Sequence, residues 1–124
     1  MSDNWNDQQP IYKQLRDRVA AMVMDGSFVE GDAIPSVRKV SADMNINHLT
    51  VAKAYQQLVD EGVLEMQRGK GMFVLHGARK TLQTHERAKF VSEEIPALLA
   101  RLASLDIPLQ EFVKQLKSLK VKTQ

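Results

Sequence analysis

The chain has 124 residues, the size of one ordinary domain or of a small domain with an appendage. Hydrophobic residues make up 44%, enough to build a core and too many for a disordered chain. The net charge is +2, but residues 1–76 carry 8 Lys and Arg against 10 Asp and Glu while residues 77–124 carry 9 against 5, so bulk charge does not make the N-terminal part a polyanion binder.

In chain order, Pro10 suits a first helical position, and Ile11, Leu15, Val19, Met22 and Val23 recur at helical spacing until Gly26. This predicts a first helix over about residues 10–25. A loop follows, with a Gly31–Asp32 turn and with Phe28 and Ile34 as its apolar anchors. Pro35 disfavours helix in Ile34, and Ser36 is a good N-cap, so a short second helix starts there with Val37, Val40 and Met44 on one face. The stretch Asn45-Ile46-Asn47 breaks it, and Asn47 can cap a third helix by accepting from the N–H of Thr50 or its neighbour. Val51, Ala54, Tyr55 and Leu58 form the buried stripe of that helix, and Gly62 stops it. Two apolar runs, "VLEMQ" and "MFVL", flank "RGKG" and predict a β-hairpin. Past Leu75 the chain turns polar, as a linker or helix start. A helix then runs to about residue 104 with Pro96 kinking or splitting it. Pro108 opens a last helix whose stripe is Leu109, Phe112, Val113, Leu116 and Leu119.

Two short helices joined by a tight turn make a helix-turn-helix, and the hairpin makes it winged. The fold class expected is mainly α with a small β-hairpin wing. A winged helix-turn-helix over residues 8–76 is followed by a helical dimerisation region over residues 77–124. Two amphipathic helices cannot hide both apolar stripes against each other, so a second copy completes them through Phe90, Leu98, Leu99, Leu102, Leu105, Leu109, Phe112 and Leu116.

With Val51 at the centre of the buried face, 100° per residue puts Leu49, Lys53 and Gln56 on the opposite side of the third helix. Asn47, His48, Thr50 and Ala52 are short or hydrogen-bonding, as a helix start entering a major groove requires. Leu49 has two readings: it meets a thymine methyl, or it packs on the first helix or a chain neighbour. Ser36, Arg38 and Lys39 sit at the start of the second helix, where the helix dipole and a cation favour phosphate. At the wing, Gly69 and Gly71 permit close approach to a surface, and Arg68 and Lys70 can reach phosphates or a minor groove.

Other chemistry is scarce. No carboxylate pair, Ser/His/Asp set or phosphate-cradling loop is present, so no catalytic residue is expected and the chain reads as no enzyme. His48, His76 and His85 lack metal-ligand spacing, and no cysteine exists, so neither metal nor cofactor is expected. No apolar run reaches the about 20 residues that span a bilayer, and the polar start is unlike a secretory signal; a cytoplasmic protein without a membrane partner is the expectation. The rival reading is a winged helix that binds protein alone. The outward face of the third helix speaks against it, because it carries no aromatic anchor. Trp5 either packs back on the first helix or reaches a dimer mate.

"PIYKQL", then the spaced residues G-S-F-x-x-G-D-x-I-P-S-V-R-K-V, then "LTVAKAYQQLVDEGVLEMQRGKGMFV" closely resemble the N-terminal domain of the GntR family of bacterial transcription regulators, over residues 10–75. The resemblance implies DNA contacts at Arg38, at Asn47, His48, Thr50 and Lys53, and at Arg68, Gly69 and Lys70. Leu49 stands where the family often has a small or polar residue. The short two-helix remainder resembles the YtrA subfamily in size, which implies a homodimeric repressor on an inverted-repeat DNA operator, often of transporter genes. That remainder is too short for the family's larger effector-binding domains, which leaves the small-molecule effector open.

Overall fold

The structure, a computed structural model, describes residues 5–119. The chain divides into two compact units between Thr84 and His85. In the first, helix α1 spans Ile11–Met24, α2 Val37–Met44 and α3 His48–Asp60, followed by strands β1 (Leu64–Gln67) and β2 (Gly71–Val74) and by the start of α4 (Ala78–Lys89). Pro10 caps α1 rather than opening it, and its carbonyl accepts from the N–H groups of Lys13 and Gln14.

Helices α1 and α3 pack through the stripes expected of them. Val51, Ala54 and Leu58 are fully buried against Leu15, Val19 and Val23 in one core. The strands pair antiparallel, from Leu64 opposite Val74 to Gln67 opposite Gly71. The loop before α2 adds to this hairpin, which the sequence reading did not foresee. Ala33 bridges Phe73, and the N–H of Ile34 donates to Met72 C=O at 2.9 Å. Gly31 holds φ +90°, and a Cβ there would stand 2.9 Å from the His76 ring. That position admits only glycine without rearrangement.

The hairpin does not end the first unit. Ala78 and Leu82 are both 0% exposed and belong to the same core. The boundary therefore falls after Thr84 and not after His76, because one face of α4 is needed to close the core.

In the second unit, a π-helical segment, Phe90–Glu94, leads into α5 (Ile95–Ser104), and α6 spans Leu109–Ser118. The expected kink or split at Pro96 takes this form instead. Proline has no N–H to give and its ring crowds the carbonyl four residues back. One wide turn ahead of it, with the Ile95 N–H donating to Phe90 C=O, makes room without ending the helix. Asp106, at φ 57°, makes the turn before Pro108. Of the residues expected at a dimer contact, Phe90, Leu98, Leu99, Leu105, Leu109 and Leu116 are exposed, and Phe112 is half-buried. Leu102 is the exception, at 7% exposed within the single chain.

Candidate nucleic-acid interface

The helix-turn-helix is held by side-chain caps at each junction. Ser36 Oγ accepts from the Lys39 N–H at 3.0 Å and opens α2. Asn45 closes it in the left-handed region, φ 54° and ψ 47°, with its N–H on Ser41 C=O. Ser41 Oγ donates to Ile46 C=O at 2.5 Å, which ties the turn back onto α2. Asn47 Oδ1 then accepts from the Leu49 N–H at 2.8 Å and starts α3. A longer-range bond locks the two helices from behind: the Tyr55 hydroxyl donates to Pro35 C=O at 2.6 Å. Burial pushes the Tyr55 pKa up to about 12.

This frame presents the residues singled out from the sequence. Ser36, Arg38, Lys39, Asn47, His48, Leu49 and Lys53 are exposed, and Thr50 is half-buried. Arg38 and His48 both line a hollow of about 570 Å³ that Val37, Ser41 and Ala42 complete. The starts of α2 and α3 therefore form one continuous surface. The cations on it differ in their engagements. Lys39 pairs with Asp43 at 3.1 Å one turn on. The Lys53 ammonium lies 4.1 Å from the centre of the Tyr12 ring, so α1 steadies it. Arg38 makes no ion pair among the described residues.

The wing has a three-residue tip, Arg68, Gly69 and Lys70, all exposed. Gly69 and Gly71 take φ of +76° and +111°, and the Lys70 N–H closes the turn on Gln67 C=O at 2.8 Å. The base of the hairpin is anchored to α3 by the Val63 N–H on Leu58 C=O. No ion pair or hydrogen bond joins Arg68 or Lys70 to α2 or α3 among the described residues.

Several supports escaped the sequence reading. Arg16, 8% exposed, bridges to Glu61 and Asp17 and so fastens α1 to the end of α3. Burial lowers its pKa, but the hydrogen bonds to Glu61 and Asp17 more than restore it and leave it raised. Trp5 takes the first of its two readings. It packs against the core cluster, with the Arg18 guanidinium 3.8 Å above its ring. Gln14 holds that segment by bonding to both the N–H and the C=O of Asn6. A buried tyrosine hydroxyl needs a partner, so Tyr55 did carry a signal; Arg16 carried none.

Fold and surface together define a winged helix-turn-helix regulator. Residues 11–74 match the family described as bacterial regulatory proteins, gntR family. The chain belongs to the GntR family of bacterial transcription regulators. It is 30% identical over 112 residues to the HTH-type transcriptional repressor YtrA of Bacillus subtilis (strain 168), covering 88% of this chain and 85% of that protein. The crystal structure of a putative transcriptional regulator of the GntR family from Bacteroides thetaiotaomicron is 30% identical, with a TM-score of 0.75, over 89% of this chain and 96% of that one. The DNA-binding domain of AraR, solved in complex with operator ORX1, shares the fold with a TM-score of 0.53 at 23% identity, over 60% of this chain and 90% of that one. The family and these relatives are transcription regulators and not enzymes. No described helix is long and apolar enough to cross a membrane.

Proposed function

We propose that the protein is a cytoplasmic, homodimeric repressor that binds an inverted-repeat operator and blocks transcription from it. The start of α3 reads base edges in the major groove through His48, Leu49, Thr50 and Lys53. Ser36, Arg38, Lys39 and Asn47 set the register on phosphates, and Arg68, Gly69 and Lys70 engage the neighbouring backbone or minor groove. The observation that carries this reading is the exposed, cation-bearing surface at the starts of α2 and α3, where Ser36, Arg38, Lys39, Asn47 and His48 are exposed and Arg38 makes no ion pair among the described residues.

The apolar faces of α5 and α6 support the dimer. Leu98, Leu99, Leu105, Leu109, Val113 and Leu116 stand exposed in the single chain. Exposed apolar side chains in this number on two adjoining helices suit an interaction site, and two-fold pairing of the same faces hides them. Two copies place two α3 helices on two half-sites. Genes for membrane transporters are the expected targets by resemblance to the YtrA subfamily.

Selection of bound fragments from the source genome, followed by sequencing, tests the reading. An inverted repeat upstream of a small set of genes is the expected result, and fragments without a shared motif would overturn it. Light scattering at micromolar concentration should give about twice the 14.0 kDa chain mass. Arg38→Ala should weaken all sequences alike and lower the salt slope by about 0.9 for each phosphate that a subunit then leaves unneutralised.

A further inference from the structure

One side chain on the reading surface does not share its chemistry. Leu49 is 66% exposed, and it is the only large apolar side chain that α2 or α3 exposes among the described residues. It belongs neither to the core nor to the apolar side chains packed against it. It also lines neither hollow beside the start of α3, the one shared by Arg38 and His48 or the one beneath Trp5 and Ile11. At that exposure, most of the Leu49 side chain is left uncovered by α1 or by any other part of the chain. Its backbone is nonetheless fixed, because its N–H is the one that Asn47 caps.

The surroundings narrow what such a leucine can meet. Leu49, Lys53 and Gln56 share the outward side of α3, and all three are exposed. His48, also exposed, stands beside them. The apolar centre of a protein interface is built from clustered residues, whereas this is a single apolar group in a polar, cation-bearing frame. Duplex DNA offers the complement in its major groove, a lone thymine C5-methyl amid polar base edges and phosphates.

We propose that Leu49 is a specificity-determining residue that covers the C5-methyl group of one thymine in each half-site. The inference rests on the DNA-binding reading above and adds the group recognised. Contact is by exclusion of water from two apolar surfaces, so it discriminates thymine from uracil, which presents the same hydrogen-bonding edge without the methyl. Burial of one methyl-sized group corresponds to about a four-fold change in affinity, and two half-sites together to about fifteen-fold.

The experiment uses the full chain and its selected inverted-repeat site. Duplexes are synthesised with uracil replacing thymine at one symmetric pair of positions at a time, and titrated with the parent protein, with Leu49→Ala and with Leu49→Met. One position should cost the parent about fifteen-fold. At that position Leu49→Ala should bind thymine and uracil duplexes alike, and Leu49→Met should recover part of the difference. Because Leu49 is exposed, each variant should fold, and its circular dichroism and dimer mass report that separately. If no uracil position matters to the parent, the inference fails while the DNA-binding reading stands. It also fails if the sensitive position stays sensitive in Leu49→Ala, since another residue then covers the methyl. A change in dimer mass without a change in thymine preference would assign Leu49 to a protein contact and overturn it. If the parent binds no duplex at all, the DNA-binding reading fails and takes this inference with it.

Discussion

The two units treat their apolar residues in opposite ways. Up to Thr84, three helices, a hairpin and one face of α4 close around a core in which Val51, Ala54, Leu58, Val63 and Leu82 are all 0% exposed. From His85 onward, Leu102 is the one described large apolar residue that is buried, while leucines on α5 and α6 face outward. Similar hydrophobic content therefore gives a self-sufficient domain in one place and an unfinished surface in the other. What separates them is topology. A third layer over two packed helices hides what remains exposed, and the first unit has a hairpin and α4 to supply it. The second unit has the end of α4, the π-helical segment and two helices joined by a tight turn, with no strand among the described residues. A second copy is the completion proposed above.

The sharpest way to break this contrast is to truncate one leucine in each unit. Leu82→Ala should lower the stability of the first unit by about 2–5 kcal/mol, because its side chain is fully enclosed. Leu109→Ala, at a site 56% exposed, should change the first unit by no more than about 0.5 kcal/mol and weaken only the dimer. Amide exchange on α1 and α3 measures both. A harmless Leu82→Ala would return the domain boundary to residue 76.

A smaller effect is expected from the pair that fastens α1 to α3. Arg16→Ala removes a buried guanidinium from Glu61, which keeps the hydrogen bond from Gln57 Nε2 at 3.0 Å. The expected loss is about 2 kcal/mol in urea denaturation. It falls below the roughly 3–5 kcal/mol of a fully enclosed pair because water still reaches the Glu61 side chain. A change near zero would show that packing alone holds the two helices.

Tyr55→Phe should cost about 1 kcal/mol at neutral pH by removing the bond to Pro35 C=O. Its pH dependence is more telling. The phenol is raised from its ordinary 10.0 to about 12 by burial, so the fold favours the neutral form. That stabilisation is complete below pH 10 and is lost as the pH rises through about 12, where both states are ionised. Tyr55→Phe should flatten this alkaline limb, as seen in thermal melts between neutral pH and about pH 11. A limb unchanged in the variant would assign it to other groups.

These sites also show what could be read from the residues in order. The helix-turn-helix was legible because its signals are local: Ser36 and Asn47 as caps, Asn45 at the turn, and a 100° pattern that separates Val51 from Leu49. The hairpin was legible from two glycines between apolar runs. Arg16 and Glu61 were not, since they lie 45 residues apart and each looks like a solvated charge on its own helix. Leu82 was not singled out because α4 is polar on most sides, and two buried positions, Ala78 and Leu82, do not make a stripe. The wide turn before Pro96 was foreseen only as a break, because proline excludes the regular helix without saying which irregular form replaces it.

The smallest expected effect lies at the seam where α4 joins the hairpin. Glu30, in the loop after α1, accepts hydrogen bonds from the N–H of Gly77 at 2.8 Å and of Arg79 at 3.0 Å. These are among the donors that a helix start leaves without an internal partner. A carboxylate there is favoured by the helix dipole as well as by the bonds themselves. Those two hydrogen bonds hold the Glu30 pKa below its ordinary value, with smaller help from the charges of His76 and Arg79. A lowered carboxyl pKa contributes stability that is present above the ordinary value of 4.5 and lost as the pH falls through the folded one. The carboxylate is open to solvent, so the global effect should be slight and reduced by salt. The local effect should be clear. Glu30→Gln keeps an acceptor and removes the charge, and Glu30→Ala removes both. Amide exchange at Gly77 and Arg79 should therefore speed up in the order parent, Gln, Ala, while the amides of α1 and α3 keep their protection. If the Ala variant instead loosened α3 as well, the seam would be part of the core's cooperative unit. The expectation of a merely local effect would then fail, while the boundary after Thr84 would stand.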